Sequence, residues 1–401
     1  MNNFDIIIIG AGIIGLSTAY KLIEKDSSLK ICLLEKENRV AGHQTGHNSG
    51  VIHSGIYYKP GSLKATNCIT GYKMLLDFCN ENDIRYDICG KIIVATEEKE
   101  LEPLKVLYER GEANGLKGLE NLSEKELIEY EPNVRGIKGI FVPQTGIVDY
   151  KIVSEKLSGL IRKKGVEIKL EQEVRDIKLS SGKVEIKTNK NNFNSGVLVS
   201  CAGLYSDKIA LMLNDNIDFQ IIPFRGEYYD LKPSAMGIIK NLIYPVPDPE
   251  FPFLGVHFTR RVDGTVEAGP NAVLAFKKEG YKKSDFNFNE TRDTLTFKGF
   301  HKIALKYWKT GFYEMYRSLS KKEFVKSLQR LVPKITAEDL ISGGSGVRAQ
   351  ACSKDGKLID DFLFIENERV INVCNAPSPA ATSSLSIGET IAEKVINNYL
   401  R

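Results

Sequence analysis

The opening thirty-five residues leave this chain few folds to choose from. Phe4-Asp5-Ile6-Ile7-Ile8-Ile9 is an unbroken, largely β-branched run, the pattern of a strand buried on both faces of a parallel sheet. Gly10-Ala11-Gly12-Ile13-Ile14-Gly15 follows at once, Leu16 to Glu24 has helical periodicity, and Lys30 to Glu35 reads as a second strand. A GxGxxG carries weight only inside such a βαβ unit of ~30 residues. Gly10 permits the tight turn, Gly12 lets the backbone close on a pyrophosphate, and Gly15 lets helix and strand pack. The helix N-terminus, where Ile14 also lies, supplies amide donors and partial positive charge to the phosphates. Glu35 stands about 20 residues beyond Gly15, where a carboxylate takes ribose hydroxyls, and Lys36 follows it. Glutamate there, with no basic residue set for a 2′-phosphate, speaks against NADP. The unit alone does not separate NAD from FAD.

Two distant segments favour FAD. Ala41 to Gly55, with Gln44, Thr45, His47, Asn48, Ser49 and Gly50, is too polar for a core and too rich in glycine, hydroxyls and amides for an ordinary loop. Such a stretch wraps a long ligand through its backbone. Asn375 to Ser384 follows the apolar strand Arg369 to Val373 and opens a helix expected over 381–399. Its first turn carries Pro379, Ala380, Ala381, Thr382 and Ser383, types that suit a helix start. A helix N-terminus delivered from the far end of the chain stabilises negative charge on a flavin ring. Between them, Asn194 to Ser200 reads as a strand, Cys201-Ala202-Gly203 as a tight turn, and Leu204 to Leu213 as a helix.

These motifs resemble the glutathione-reductase-type FAD proteins of the D-amino-acid oxidase superfamily, in which a Cys/Ala/Thr-Ala-Gly turn closes over the cofactor. The resemblance is closest to the L-2-hydroxyglutarate dehydrogenase (or oxidase) family. It rests on His43-Gln44-Thr45-Gly46-His47-Asn48-Ser49-Gly50 through Pro60, Thr145 to Tyr150, Cys201 to Asp207 and Pro223-Phe224-Arg225-Gly226. Tyr244 to Pro247, Phe253 to Phe258, Gly269 to Phe276, Gly346-Val347-Arg348-Ala349-Gln350 and Asn375 to Ser384 continue it to the end of the chain. The implied fold class is α/β, a Rossmann FAD domain with an interleaved mixed-sheet α+β substrate domain. The implied reaction is FAD-dependent oxidation of L-2-hydroxyglutarate to 2-oxoglutarate by hydride transfer to flavin N5. Oxygen or a quinone-type electron carrier is the final acceptor. The resemblance also places Val174 where relatives pass the adenine by a backbone strand.

Oxidising a 2-hydroxy acid requires an anchored carboxylate, an acceptor for the hydroxyl proton and the α-hydrogen set towards the flavin. Arg348, ending the glycine-flexed Gly343-Gly344-Ser345-Gly346-Val347, matches a carboxylate with its guanidinium fork. In the resembling superfamily the arginine of this segment holds the substrate carboxylate. Arg225 competes, although Arg-Gly there suits a scaffold role better. Five histidines exist. His53 and His257 are the candidate bases; His43 and His47 lie on the expected cofactor path, and His301 sits in an amphipathic stretch. A second carboxylate needs further donors, for which Tyr57, Tyr58, Lys59, Lys64 and Tyr244 are placed. Two other readings keep the fold: oxidation of another 2-hydroxy acid or small amino acid, and flavin binding without turnover.

Composition narrows the setting. Hydrophobic residues are 42% and charged residues 26%, a globular balance, and 55 Lys and Arg against 51 Asp and Glu give +4. That charge is too slight to imply nucleic acid, and it leaves weak attraction to an anionic membrane open. Seven scattered cysteines without CxxC spacing read as buried thiols of a reducing compartment, not as a disulfide or zinc framework. No basic leader or spanning run opens the sequence, so a cytoplasmic protein is expected, with peripheral contact on the inner membrane face as a second reading. The basic run Gly299 to Lys309, which holds the only tryptophan, reads as a solvated helix face packed on a lid, and alternatively as a membrane contact.

Segments 1–90, 149–220 and 342–401 are expected to form the FAD-binding domain, with 91–148 and 221–341 as the substrate domain. Within them the sequence predicts a helix over 151–164, strands over 173–177 and 183–187 joined by a Ser-Ser-Gly turn, strands over 226–231 and 256–268, and a helical lid over 291–331. Pro245 to Pro249 reads as a stiff turn.

Overall fold

A computed structural model describes residues 2–180, 182–214, 216–248 and 253–400. The first strand, Asn2–Ile9, pairs in parallel with Ile31–Leu34 on one side and with Asn192–Ser200 on the other. Its β-branched run serves two cores at once. Ile6 and Ile8 face the helices Ile13–Lys25, Tyr150–Lys163 and Ser384–Tyr399, whereas Ile7 and Ile9 face Val174, Ile177 and Ile209. Both faces are dry, as a parallel strand under crossover helices requires. Glu167–Lys169 extends this eight-stranded sheet beyond Ile31–Leu34. On its other side lie Lys183–Thr188 and Val174–Ser180. Val370–Asn375, from the far end of the chain, pairs in parallel with Asn192–Ser200 and carries Leu363–Asn367 outside it. Ser181 of the expected Ser-Ser-Gly turn, and Pro249 of the expected stiff turn, lie outside the described residues.

A nine-stranded sheet stands beside the first. It runs Val273–Leu274, Phe219–Leu231, Val266–Gly269, His257–Arg260, Leu242–Pro245, Lys91–Ala95, Lys138–Val142 and Glu120–Ser123, with Leu340–Ser353 along the other edge of Phe219–Leu231. A boundary drawn at residue 342 therefore needs correcting. Arg348 lies on a strand that pairs with Phe219–Leu231 from Leu340 to Ser353, so its segment belongs to this sheet and not to the cofactor sheet. The glycine-flexed segment before Arg348 is thus held in a strand by backbone ladder bonds. Similarly, the strand expected over 256–268 is two, broken by an Asp263-Gly264 turn, and the C-terminal helix begins at Ser384 after a tight turn over 377–383.

The lid consists of the helices Phe288–Thr296, Lys298–Leu319 and Lys321–Gln329. Phe324 and Leu328 of the last helix pack into the core of the nine-stranded sheet. All seven cysteines are free thiols. Among the described residues no helix is long and apolar enough to cross a membrane.

Candidate active site

One cavity of about 890 Å³ runs between the two sheets, near the top of the ~300–1,000 Å³ range of small-molecule and cofactor sites. Gly10, Gly12, Ile14, Glu35 and Lys36 line it from the βαβ unit, and Gln44, Thr45, His47, Asn48 and Ser49 from the polar wrap. Val174, Cys201 to Gly203 and Pro379 to Ala381 complete this half. The buried Glu35 carboxylate accepts the Ala11 N–H at 2.8 Å and the Glu37 N–H at 3.0 Å, which aims it at the glycine turn. Its remaining lone pairs are available to hydroxyls. Thr45 Oγ1 accepts the Ile13 N–H at 3.0 Å, and no side chain caps the helix from its own Ncap, Gly12. Asn48 folds the wrap on itself, donating to the carbonyls of Gln44 and Thr45 and accepting the Gly50 N–H.

The glycines distinguish what the fold needs from what a ligand needs. A Cβ at Gly10, where φ is +96°, would meet the Cys201 carbonyl at 2.5 Å, and one at Gly15 the Gly10 carbonyl at 2.0 Å. Those two glycines are required by the chain's own packing. At Gly12 a Cβ would meet only Thr45 Oγ1, at 3.4 Å, and would fill the cavity itself. A glycine that no protein neighbour demands, under an N-terminus without a side-chain cap, fits a dinucleotide pyrophosphate. The residues present thus fit FAD.

The opposite end of the cavity carries the chemistry. Arg348 is exposed and lines the cavity, and the surrounding protein lowers its pKa by desolvation. Its guanidinium carbon lies 4.7 Å from the Phe253 ring centre, and among the described residues no carboxylate is paired with it. Arg225 differs: it is buried, bonded to Glu227 at 2.9 Å and directed at the carbonyls of Gly280 and Lys282. That arginine is already committed to the scaffold. The Gly343–Gly346 stretch brings Arg348 inward because the chain passes against the wrap. His47 Nδ1 lies 3.1 Å from the Ser345 carbonyl, and a Cβ at Gly346 would press on the His47 carbonyl at 2.5 Å.

His53 lines the cavity, its backbone N–H donating to Thr382 Oγ1 at 3.1 Å and its Nε2 3.4 Å from Ser378 Oγ. Burial, helped by the Lys91 ammonium, pulls its pKa down to about 3. His257 is also buried and is lowered to about 4, by burial and by the cations Lys91 and Arg348. Its Nδ1 faces the Gly255 carbonyl at 2.8 Å. A carbonyl only accepts, so Nδ1 carries the proton and Nε2 is left as the acceptor. Its ring lies against Tyr244, centroids 4.0 Å apart and the planes tilted by 33°.

Several residues singled out in the sequence lie elsewhere. Gly15 and Gly50 sit behind the cavity wall, where each meets a backbone carbonyl rather than the cavity. Thr382 and Ser383 are fully buried. Thr382 ties the C-terminal turn to the His53 strand and to the Tyr150 hydroxyl at 2.9 Å, a brace instead of a lining group. Lys59 is exposed at a turn, away from the substrate end. Lys64 is held by Asp360 at 2.7 Å. His43 joins Lys36, Glu37 and Glu279 in an ionic wall beside the cofactor half. Tyr57, Tyr58 and Tyr244 stand behind the cavity surface, around a residue that sequence reasoning missed. Lys91 opens a strand that reads as an ordinary apolar run, and nothing local marks it as more than a solubilising charge. Tyr228, which lines the cavity near Arg348, was missed for the same reason.

Residues 5–394 match the family described as FAD dependent oxidoreductase. The chain is 54% identical to the L-2-hydroxyglutarate dehydrogenase of Indibacter alkaliphilus over 99% of its own length and 100% of that protein. It is 45% identical to the mitochondrial L-2-hydroxyglutarate dehydrogenase of Homo sapiens, covering 99% of this chain and 90% of that one. Among solved structures, the dithionite-reduced L-alpha-glycerophosphate oxidase of Mycoplasma pneumoniae with FAD bound superposes with a TM-score of 0.81 at 25% identity, over 99% of this chain and 95% of that one. The dinucleotide cradle, the enclosed arginine and these full-length matches agree: the chain belongs to the FAD-dependent oxidoreductases and, within them, to the L-2-hydroxyglutarate dehydrogenase family.

Proposed function

We propose that this protein oxidises L-2-hydroxyglutarate to 2-oxoglutarate, with Arg348 holding the C1 carboxylate and His53 taking the hydroxyl proton. The observation that carries the reading is an unpaired guanidinium open to the cavity beside two histidines held neutral. The substrate follows from the full-length relatives. The guanidinium fork fixes the carboxylate plane and thereby the face of C2 that meets the cofactor. Accepting the hydride that leaves C2 is the part of the chemistry that FAD supplies when bound. As the hydroxyl proton passes to His53 Nε2, the C–O bond becomes a carbonyl. A bound diacid brings two negative charges beside His53 and raises its proton affinity, so the base strengthens when substrate arrives. Anaerobic bleaching of the flavin by L-2-hydroxyglutarate, with lactate and glycine compared, tests the reading. No bleaching by L-2-hydroxyglutarate would overturn it.

The lowered histidine pKa values set an acid limb. A histidine of ordinary pKa loses about 30-fold of its neutral form between neutral pH and pH 5. With pKa values about 3 and 4, both His53 and His257 stay neutral over that range. Hence kcat/KM for flavin reduction, which reports the free enzyme, is expected to change less than about threefold from pH 7 to pH 5. A midpoint near 6.5 in that profile would remove His53 and His257 from the role of base.

The lid supports a second element of the reading, docking on an anionic membrane surface. After a kink at Tyr307, the helix Lys298–Leu319 turns Trp308, Phe312, Tyr316 and Leu319 outward on one face, with Phe312 and Leu319 72% and 74% exposed. Leu305 precedes them, and Lys302, Lys306 and Lys309 are exposed on the same helix. The solvated-face reading of this segment does not describe such a stripe, whose apolar side is the outer one. Apolar side chains flanked by lysines match the boundary between acyl chains and acidic headgroups. A lipid-soluble quinone is the electron acceptor such a surface serves. Partition onto vesicles containing phosphatidylglycerol is expected to weaken about 100-fold in F312S/L319S. Equal sedimentation of the variant and the unaltered protein with those vesicles would reject the contact.

A further inference from the structure

Lys91 is 1% exposed, as buried as Asp207 and Glu267, and unlike them it has no ion-pair or hydrogen-bond partner among the described residues. Its ammonium sits over two ring faces, 4.3 Å from the centre of Tyr57 and 4.9 Å from that of Tyr244. Ring faces attract a cation but do not neutralise it. Beside it, the Tyr57 hydroxyl is buried and has no partner among the described residues. An enclosed cation and an enclosed donor, side by side and unanswered, are costly to keep unless something anionic uses them.

Lys91 and the two tyrosines stand behind the substrate end of the cavity, so an anion that reaches the ammonium extends past the lining, and the neighbours there say what that anion is. Tyr244 aligns with Ile93, two residues along the strand from Lys91, so both side chains leave the same face of the nine-stranded sheet. The His257 ring lies against Tyr244. His257 lies within the electrostatic reach of both Lys91 and Arg348, and His53, which lines the cavity, lies within reach of Lys91 as well. Two cations thus share His257 as a neighbour. One monocarboxylate satisfies only one of them, whereas a dicarboxylate with its hydroxyl at the histidines satisfies both.

We propose that Lys91, with the Tyr57 hydroxyl, receives the second carboxylate of a diacid whose first carboxylate is on Arg348, and so sets the preference for 2-hydroxy diacids over 2-hydroxy monoacids. The assignment deepens the oxidation of L-2-hydroxyglutarate and rests on that reading. Tyr244 positions the ammonium and His257, and touches no reacting atom. Removing one member of an enclosed, hydrogen-bonded charge pair weakens binding about 100-fold or more.

The discriminating measurement is a ratio. For the holoenzyme, kcat/KM is obtained with L-2-hydroxyglutarate and with L-2-hydroxypentanoate, which has the same chain length and no second carboxylate. In Lys91→Met this diacid-to-monoacid ratio is expected to fall about 100-fold, with the loss mainly in KM. In Tyr57→Phe it falls in the same direction by about tenfold, the size of one enclosed hydrogen bond. A structural role would lower both substrates together and leave the ratio alone, and that result overturns the proposal. A readout on the unaltered holoenzyme removes dependence on the variants' folding. Glutarate, which has two carboxylates and no hydroxyl to oxidise, should perturb the flavin absorbance at concentrations at least tenfold below those needed for pentanoate. Equal affinities overturn the subsite. If L-2-hydroxyglutarate fails to reduce the flavin while glutarate still outbinds pentanoate, the proposed reaction is lost but the diacid site stands. Reduction by L-2-hydroxyglutarate with an unaltered ratio in Lys91→Met leaves the reaction and removes the subsite.

Discussion

Arg348→Ala should lower kcat/KM for L-2-hydroxyglutarate by about 1,000-fold, the upper part of what an enclosed charge pair contributes to binding. The expectation rests on where Arg348 lies. It lines the cavity and has no carboxylate partner among the described residues, so its guanidinium is free to take the substrate's carboxylate. Arg225 is no substitute, because Glu227 and two carbonyls already hold it. Thermal stability should hold or rise in the same variant, since the substitution removes an unpaired enclosed charge instead of stranding a partner. Arg348→Lys should recover only part of the loss, because an ammonium lacks the fork that fixes the carboxylate plane. Stopped-flow anaerobic reduction and a melting curve on the same preparations give both quantities. A loss below tenfold in Arg348→Ala would mean that the carboxylate is held elsewhere.

The second large effect separates cofactor from fold within six residues. Gly12→Val should leave the melting temperature of the apoprotein within a few degrees while weakening FAD binding by at least about 100-fold, since the new side chain enters the cavity and not the core. Gly10→Ala should behave oppositely. Its Cβ would press on the Cys201 carbonyl from a backbone at φ +96°, so the protein itself should lose about 2–4 kcal/mol. Flavin titration of the apoprotein and calorimetry check the pair. If Gly12→Val melted as far down as Gly10→Ala, the cavity beside Gly12 would be part of the packing and not a pyrophosphate cradle.

How much of this was legible in sequence differed by kind of feature. The βαβ unit was legible because its determinants are local: a β-branched run, three glycines and a carboxylate at fixed spacing all serve one turn. Helix boundaries shifted by a few residues where a tight turn preceded the helix, as at Ser384. Arg348 was found because glycines flank it, but that glycine-flexed segment is a strand, and the ladder with Phe219–Leu231 that holds it is a contact across more than a hundred residues. Lys91 was invisible for the corresponding reason. Its significance comes from two tyrosines and two histidines delivered by other segments, and an isolated lysine at the head of a strand is indistinguishable from a surface charge. Thr382 misled in the other direction. A hydroxyl at a helix start suggests a ligand contact, and only the fold reveals the His53 backbone and Tyr150 that use it.

The bond from His53 to Thr382 spans 329 residues, and helix Ile13–Lys25 closes against helix Ser384–Tyr399 so tightly that a Cβ at Gly388 would overlap the Ser17 backbone. For a ribosome, this means the first helix emerges long before its partner exists. At about 5–20 residues per second, roughly twenty seconds to over a minute separate the two. Throughout that interval Leu16, Ala19 and Ile23, which the finished protein buries, have no C-terminal helix to cover them. Contacts this distant along the chain also form slowly once synthesis ends. The newborn protein is therefore sticky before it is active, and a nascent chain arrested before its last thirty residues has neither the Thr382 brace nor the reactive end that it fixes.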